Sequence, residues 1–365
     1  MAAPTSHWLS VVVATPAHST VGGPLTYASG VPFAPGSLVR VPLGRREVLG
    51  VVWAELPDSG GLEEAQARSV LGGLDGLAPL SATWRRLVAF TAAYYQRSVG
   101  EVALAALPPQ LRELNAVQLG RRLKRPRAAA VGTDSAIHLL ALSTEQQRAL
   151  AEFDADQRPA LLFGATGSGK TEVYLRAAAK VLAGDPEAQV MVMVPEINLT
   201  PQLQARFEER FAHLGAGQVV ALHSGLTPAQ RLKSWLAAHA GQARLVLGTR
   251  MAIFASLPKL RLIIVDEEHD PSYKQQEGAR YSARDLAVYR AMLESSAQQA
   301  DNTGAPEGNE ASQVAGAEAS SSAAGAAEPA LPDRRRSAPP GGSAVREATG
   351  VGAVISTRSE GPSFP

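Results

Sequence analysis

The stretch Leu161-Leu-Phe-Gly-Ala-Thr-Gly-Ser-Gly-Lys-Thr-Glu-Val-Tyr174 decides the fold. An apolar strand runs into Gly164-Ala-Thr166-Gly167-Ser168-Gly169-Lys170-Thr171, which fits G-x-x-x-x-G-K-[ST], and apolar positions at helical spacing follow. The chemistry of such a loop is phosphate binding. Its glycines let backbone N–H groups turn inward around an anion, and the helix N-terminus adds the positive end of its dipole. Lys170 is placed to reach the β- and γ-phosphates, and the Thr171 hydroxyl to take a Mg²⁺ position. A glycine loop that only joins a strand to a helix does not account for the Lys-Thr pair.

A second stretch supplies acids. Ile263-Ile-Val-Asp266-Glu267-Glu268-His269 is an apolar strand ending in carboxylates. At the carboxyl end of a parallel strand, such a cluster lies beside the phosphate loop. Asp266 would hold Mg²⁺, directly or through water, and Glu267 would polarise an attacking water as general base. A strand ending in a solvated acidic turn is the plain alternative. Around these motifs, residues 160–293 alternate strand and helix, with strands expected at Ala160–Phe163, Val190–Val194, Val219–His223, Arg244–Leu247 and Leu262–Val265. Near-continuous apolar strands in this alternation predict an α/β fold with a parallel sheet covered on both faces.

Upstream, residues 8–56 break into short strands separated by Gly and Pro. Leu38–Leu43 and Val48–Trp53 flank the hairpin turn Gly44-Arg-Arg-Glu47, and a small β-barrel or sandwich is the natural packing. Residues 81–97 have helical spacing, with Trp84, Leu87, Val88, Thr91 and Tyr95 on one face. Residues 109–142 form a connector. Its run Arg121-Arg-Leu-Lys-Arg-Pro-Arg127 is basic without an acid and suits either a phosphate backbone or a solvated linker. Ser143-Thr-Glu-Gln146 then opens an amphipathic helix, with Ser143 or Thr144 as N-cap.

From about Glu294 the character changes. Between 294 and 350 the large aliphatics are Val314, Leu331 and Val345, so this tail is expected to be disordered. Val351-Gly-Ala-Val-Ile355 is a brief apolar return. Over the whole chain of 365 residues, 45% are hydrophobic, the net charge is +1 and there is no cysteine. Disulfides and thiolate zinc sites are thereby excluded, and any nucleic-acid binding must come from local patches. No apolar run approaches a membrane span, and Trp8–Val13 lacks the basic flank of a signal peptide and soon meets Pro16. A cytoplasmic protein without a membrane partner is expected.

Several motifs are longer than a generic phosphate loop. Gly164–Tyr174, Val194-Pro-Glu-Ile-Asn-Leu-Thr200-Pro-Gln202, Leu222-His223-Ser224-Gly225, Gly248-Thr249-Arg250, Asp266–His269 and Ser272–Gly278, followed by Arg280-Tyr281 and Ala283–Leu286, together resemble one family. It is the primosomal protein N′ family of bacterial replication-restart DNA helicases, superfamily 2 enzymes. The resemblance covers about residues 8 to 293. It implies a RecA-like P-loop lobe at 143–293, preceded by a small β-rich domain at 1–108 that captures the 3′ end of a nascent strand at a fork. Residues 109–142 would link the two, and 294–365 would be a tail outside the family.

The resemblance also implies ATP and Mg²⁺ as cofactors, forked DNA as partner, and primosome proteins and the single-stranded-DNA-binding protein as protein partners. By the same likeness Gln146 reads adenine, and Gly164, Thr166, Gly167, Ser168, Gly169, Lys170 and Thr171 hold the nucleotide. Thr171 and Asp266 hold the metal, and Lys170, Asp266 and Glu267 carry catalysis. Thr200, Gln202, His223, Ser224, Thr249 and Arg250 face single-stranded DNA. The loop Tyr273–Tyr281 would couple DNA contact to hydrolysis. Tyr273 and Tyr281 offer stacking faces there and Lys274, Arg280 and Arg284 phosphate partners, unless the loop is a tyrosine-anchored surface turn. Thr26, Tyr27 and Gly36 fall in the 3′-end pocket, and Thr26 stands where some members carry an acid.

Three departures from the family pattern matter. The stretch from Gln110 to Thr144 is too short for the winged-helix domain that some members carry. The family's cysteine-rich zinc module and second RecA-like lobe, the source of an arginine finger, are not in this sequence. The family's next strand, with a Gly-Ser-Ala-Thr-Pro-type motif, is missing where 294–365 begins. That strand pairs between the phosphate-loop strand and the Asp266 strand, and unpaired buried backbone groups cost about 1–3 kcal/mol each. The expectation is an N-terminal fragment or frame-disrupted product with defective hydrolysis; the alternative is that Val351–Ser356 supplies the strand after an insertion. Two other function classes stand beside the helicase: a non-catalytic fork-DNA-binding module formed by residues 1–108, and a phosphate-loop NTPase that does not act on DNA.

Overall fold

The computed structural model describes residues 7–15, 23–60, 67–114, 116–123, 141–155, 159–303 and 353–359. Strands β1 (His7–Val13), β2 (Leu25–Ser29), β3 (Leu38–Leu43), β4 (Arg46–Leu56) and the short β5 (Gly72–Gly73) form an antiparallel sheet in the order β2-β1-β4-β3-β5. The two-residue period of a strand sorts its side chains. Leu9, Val11 and Val13 join Tyr27, Val39, Val41 and Val52 in one core, whereas Val12, Leu38, Leu49 and Val51 face a second. The β3–β4 hairpin closes where expected, with Leu43 opposite Arg46 and Gly44 at φ 62°.

Helices α1 (Ala82–Tyr94) and α2 (Val99–Ala106) cover the second face. The Ser81 hydroxyl caps α1 by accepting from the Trp84 N–H at 3.1 Å, and the helix buries Trp84, Leu87, Val88 and Thr91. Position 100 must be glycine for α2 to lie on β1, because a Cβ there would stand 1.8 Å from the Val13 carbonyl oxygen. Beyond α2 the chain enters α3 (Ala116–Leu123). The Arg40 guanidinium fixes this exit by donating to the carbonyls of Leu111, Arg112 and Leu114 at 2.9, 2.5 and 2.5 Å. The side chains of the basic run Arg121–Arg127 lie outside the described residues.

The second sheet follows from the alternation of α4 (Thr144–Ala155), β6 (Ala160–Gly164), α5 (Lys170–Gly184), β7 (Gln189–Met193), α6 (Pro201–Arg210), β8 (Val219–Leu222), α7 (Pro228–His239), β9 (Leu245–Gly248), β10 (Leu260–Val265) and α8 (Ala283–Thr303). Every residue of β7 and β9 is buried, as a parallel sheet covered on both faces requires. A sixth strand completes it: β11 (Ala353–Ser359), giving the order β6-β11-β10-β7-β9-β8 with every pair parallel.

This strand corrects the expectation that the partner between the phosphate-loop strand and the Asp266 strand is missing, and agrees with the alternative that Val351–Ser356 supplies it, with the strand running over Ala353–Ser359. Ile263 stands opposite Val354, and Leu161 opposite Ser356. The stretch is short, yet Val354 and Ile355 bury on opposite faces of the sheet, in the two separate cores. Its backbone also pairs on both sides, which removes the cost of two open ladders. Part of the stretch read as a tail is thus a central strand, and α8 runs on past position 293 to Thr303. Residues 304–352 and 360–365, for which disorder is expected, lie outside the described residues.

The two sheets share a core. Trp84, Leu87 and Val102 of the N-terminal part pack in one cluster with Phe254, Leu257, Leu286 and Ala291 of the lobe. The Trp84 indole N–H donates to the Phe254 carbonyl at 2.8 Å, and the Ser282 N–H to the Tyr95 hydroxyl at 3.0 Å. His239 sits in this seam, 3.0 Å from the Ala78 carbonyl and 2.9 Å from the Ser256 hydroxyl. Arg290, buried at 2% exposure, donates to the Ile253 carbonyl at 2.6 Å and pairs with Glu294 at 3.5 Å.

Candidate nucleotide and DNA sites

The phosphate loop has the conformation its glycines allow. Gly167 and Gly169 both take φ 83°, in the left-handed region, and Gly169 caps α5. Thr166, Gly167, Ser168 and Thr171 are exposed, so the loop opens outward. Lys170 turns back over it, with Nζ donating to the Gly164 and Ala165 carbonyls at 2.9 and 3.0 Å and to the Ser359 hydroxyl at 2.9 Å. Gln146 is fastened to the same loop. Its side-chain oxygen accepts from the Ser143 N–H at 2.9 Å, while its amide nitrogen donates to the Ser168 and Gly169 carbonyls at 3.2 and 3.5 Å. The group expected to read adenine thus braces the loop backbone.

The acidic end of β10 is held from β11. The Thr357 hydroxyl donates to the Asp266 carboxylate at 2.6 Å and accepts from the Glu267 N–H at 2.8 Å. Tyr174, 1% exposed, adds its hydroxyl to Asp266 at 3.4 Å. Burial pushes the Asp266 carboxyl above its ordinary range, against the pull of the Thr357 hydroxyl. Glu267 has φ 45°, a strained conformation for a residue with a side chain. Its carboxylate accepts from the Ser359 N–H at 3.0 Å and from the Ser359 hydroxyl. Ser359 therefore receives a hydrogen bond from Lys170 and gives one to Glu267, linking the loop lysine to the acid. Thr171 opens the helix turn that carries Tyr174, whose hydroxyl reaches Asp266, so the two expected metal ligands lie about one phenol. One hydroxyl and one carboxylate suit Mg²⁺, which keeps waters and phosphate oxygens as its other ligands.

Glu268 is buried at 6% side-chain exposure between Arg284, at 3.1 Å, and Arg358, whose Nε lies 2.6 Å away. Arg284, expected as a phosphate partner, is thus engaged by Glu268 and Asp285. Tyr174, Thr357, Arg358 and Ser359 are site residues that the sequence reasoning missed. The last three lie on β11. Tyr174 lay within the opening motif, three positions after Thr171, the spacing of one helical turn.

Of the residues expected to face DNA, the structure brings Ser224 and Arg250 together. Both bind Glu196: the Ser224 hydroxyl donates to one carboxylate oxygen and Arg250 Nη1 to the other, each at 2.5 Å. These bonds, the Ser224 hydroxyl first, hold the Glu196 carboxyl below the usual range. Arg250 Nε also donates to Gln275 at 2.7 Å. A cleft of about 370 Å³ opens here, lined by Glu196, Ser224, Arg250, Gln275 and Tyr281 among others. Burial, then Arg231, pushes His223 down. Thr200 caps α6, Gln202 is exposed on its first turn, and Thr249 is buried at 3% exposure.

The tyrosines differ from expectation. Tyr273, 2% exposed, directs its hydroxyl to the Met193 and Asp266 carbonyls at 3.0 and 2.6 Å. Tyr281 packs edge-on against Phe254 at 5.0 Å, and burial pushes its pKa up to about 12. The Tyr273 ring is closed to a base, because a phenol buries well once its hydroxyl is satisfied, whereas Tyr281 is half-buried and lines the cleft. Tyr27 is likewise corrected: it is 2% exposed and donates to the Pro42 carbonyl at 3.0 Å, while Thr26 beside it stands opposite Ser10 in β2. Gly36, at φ 98°, is required by the Leu80 carbonyl oxygen, 2.1 Å from where its Cβ would be. Lys274 and Arg280 are exposed.

Residues 143–302 match the DEAD/DEAH box helicase family, and residues 10–108 match the 3′DNA-binding domain (3′BD) family. The replication restart protein PriA of Bacillus subtilis (strain 168) is 47% identical over 154 residues, 40% of this chain and 18% of that protein. Its counterpart in Haemophilus influenzae is 33% identical over 70% of this chain and 44% of that protein, and that of Helicobacter pylori (strain J99) 37% identical over 73% and 38%. The chain spans less than half the length of these relatives. Among the described residues no helix is long and apolar enough to cross a membrane. With a 3′-end-binding unit ahead of a helicase lobe, and relatives that align across both, the chain belongs to the replication restart protein PriA family, to its N-terminal part.

Proposed function

We propose that this chain is the fork-recognising and ATP-binding part of an ATP-dependent DNA helicase that acts in replication restart in the cytoplasm. By family resemblance its partners are forked DNA, primosome proteins and the single-stranded-DNA-binding protein. The observation that carries the reading is the bond sequence Lys170–Ser359–Glu267. A nucleotide's phosphates would replace the loop carbonyls on Lys170, and its Mg²⁺ would meet Thr171 and Asp266, neutralising phosphate charge. Loss of the lysine contact would remove a donor from the Ser359 hydroxyl while its own bonds to Glu267 remain, so a water polarised by Glu267 would bind beside these bonds or displace the hydroxyl. Thr357 keeps Asp266 oriented throughout.

Hydrolysis needs charge stabilisation on the far side of the phosphates. Among the described residues there is one parallel sheet with a phosphate loop, and we expect this lobe to bind ATP–Mg²⁺ without fork-stimulated turnover. The test is binding of a fluorescent ATP analogue together with phosphate release. We expect saturable binding that Lys170→Ala abolishes, and no multi-turnover release with forked DNA. Fork-dependent turnover by the purified chain would overturn the one-lobe part of the reading.

The match of residues 10–108 to a 3′DNA-binding domain favours a second reading, a non-catalytic fork-binding module. Fork binding that persists in Lys170→Ala without ATP, and prefers a 3′ hydroxyl over a 3′ phosphate, would move the weight there.

A further inference from the structure

We propose that an aromatic ladder on the seam between α1 and α8 is a base-stacking platform for single-stranded DNA. Phe90 and Tyr94 lie one turn apart on α1, with rings stacked at 5.5 Å and 21°. Phe90 also stacks on Tyr289 of α8 at 3.8 Å, and Tyr94 meets Tyr95 edge-on at 5.0 Å. The outer end is open: Tyr94 is 68% exposed, and Met292, one turn beyond Tyr289, 58%. Cations flank the rings. Lys274 Nζ lies 5.2 Å from the Tyr95 ring centroid, and exposed Arg86 and Arg97 stand at either end of the α1 stripe. The acids beside it are engaged, Asp285 with Arg284 at 2.9 Å and Glu101 with Arg97 at 3.9 Å.

Three observations favour single-stranded DNA as the occupant. An exposed ring at the end of a stack, with cations beside it, suits sequence-tolerant binding of bases, and Tyr94 is that ring here, while Phe90 is stacked on a neighbour on either side. The ladder also adjoins the loop 273–281, whose Lys274 and Arg280 are exposed. The Tyr95 hydroxyl accepts the Ser282 N–H, and Lys274 pairs with Ser282 at the neck of that loop. Finally, α1 lies inside the 3′DNA-binding match and α8 inside the helicase match, so the ladder stands where two such units meet. The loop's own Tyr273 is closed in the core and offers no face. The inference rests on the reading that the chain binds DNA.

The test is fluorescence anisotropy of a labelled oligothymidylate at stated salt, with the unsubstituted chain and Tyr94→Ala, Tyr94→Trp, Lys274→Ala and Arg250→Ala. Tyr94→Ala should bind about tenfold more weakly with an unchanged salt slope. Tyr94→Trp should restore affinity, and its added indole fluorescence should be quenched by the oligonucleotide. Lys274→Ala should lower the slope of log K against log salt by about 0.7. Thermal melts check that the Tyr94 variants remain folded. Unaltered affinity in Tyr94→Ala, with loss in Arg250→Ala, would overturn the ladder while leaving DNA binding intact, and would leave a protein as the occupant of the patch. No binding by the unsubstituted chain would overturn both.

Discussion

At the seam between the two sheets, Trp84, Phe254, Leu257 and Leu286 are buried, and a few hydrogen bonds align what packing already holds. At the nucleotide edge the balance is reversed. Leu161 and Phe163 of β6 are 54% and 56% exposed, and the neighbouring strand is secured through Thr357, Ser359 and Arg358, each bonded to an acid at the end of β10. Apolar burial is non-directional and stabilises in proportion to area, whereas hydrogen bonds net about 1 kcal/mol each and can be exchanged. The seam is therefore a fixed joint, and the nucleotide edge a set of contacts that a phosphate can reassign.

The difference can be broken first at the seam. Trp84→Ala removes the largest fully buried side chain there and should cost about 3–5 kcal/mol in denaturant melts, with both sheets unfolding in one transition. Two separate transitions in the unsubstituted chain would show that the seam does not join them. At the nucleotide edge, Thr357→Val leaves Asp266 and the Glu267 N–H without that partner and should cost about 1–3 kcal/mol. Hydrogen exchange should quicken at residues 266–267 and 357–359 while the seam keeps its protection. Equal acceleration at Trp84 and Phe254 would mean that the two regions are one cooperative unit.

The smallest effect sharpens the seam itself. His239 fits a neutral imidazole, with Nε2–H donating to Ala78 and Nδ1 accepting from Ser256, while Trp235 stacks on the ring at 4.8 Å. Burial pushes its pKa below the ordinary 6.5. Below about pH 6.5 the unfolded chain takes up a proton that the folded chain refuses, so this contribution is full above that pH and falls as pH drops toward the folded value. Urea melts of the unsubstituted chain and His239→Gln should converge as pH falls through this window. A constant gap between them would show that the imidazole titrates as freely in the fold as outside it.

Local signals carried most of the lobe. The phosphate loop, the acids after β10 and the strands β6 to β10 all follow from short-range pattern, because each strand is mostly apolar, with Gln189 and Arg261 as exceptions. What was hardest to read was non-local. Ala353–Ser359 follows a long stretch poor in aliphatics, so its apolar start was legible only as an alternative strand at Val351–Ser356, and its polar end at 357–359 was not legible as part of it. With it went Thr357, Arg358 and Ser359. The tyrosines failed for a different reason: residue type says that a phenol can stack on a base or anchor a turn, and the choice depends on whether carbonyls such as those of Met193 and Asp266 stand within reach of its hydroxyl.

The placement of β11 between β6 and β10 has a consequence for synthesis on the ribosome. Lys170 and Ser359 are 189 positions apart, and among the described residues β6 pairs with the rest of the sheet through β11 alone. At about 5–20 residues per second, the phosphate-loop strand emerges roughly ten to forty seconds before the strand that docks it. For that interval Leu161 and Phe163 belong to an unpaired apolar edge, the kind of surface that nascent-chain chaperones hold.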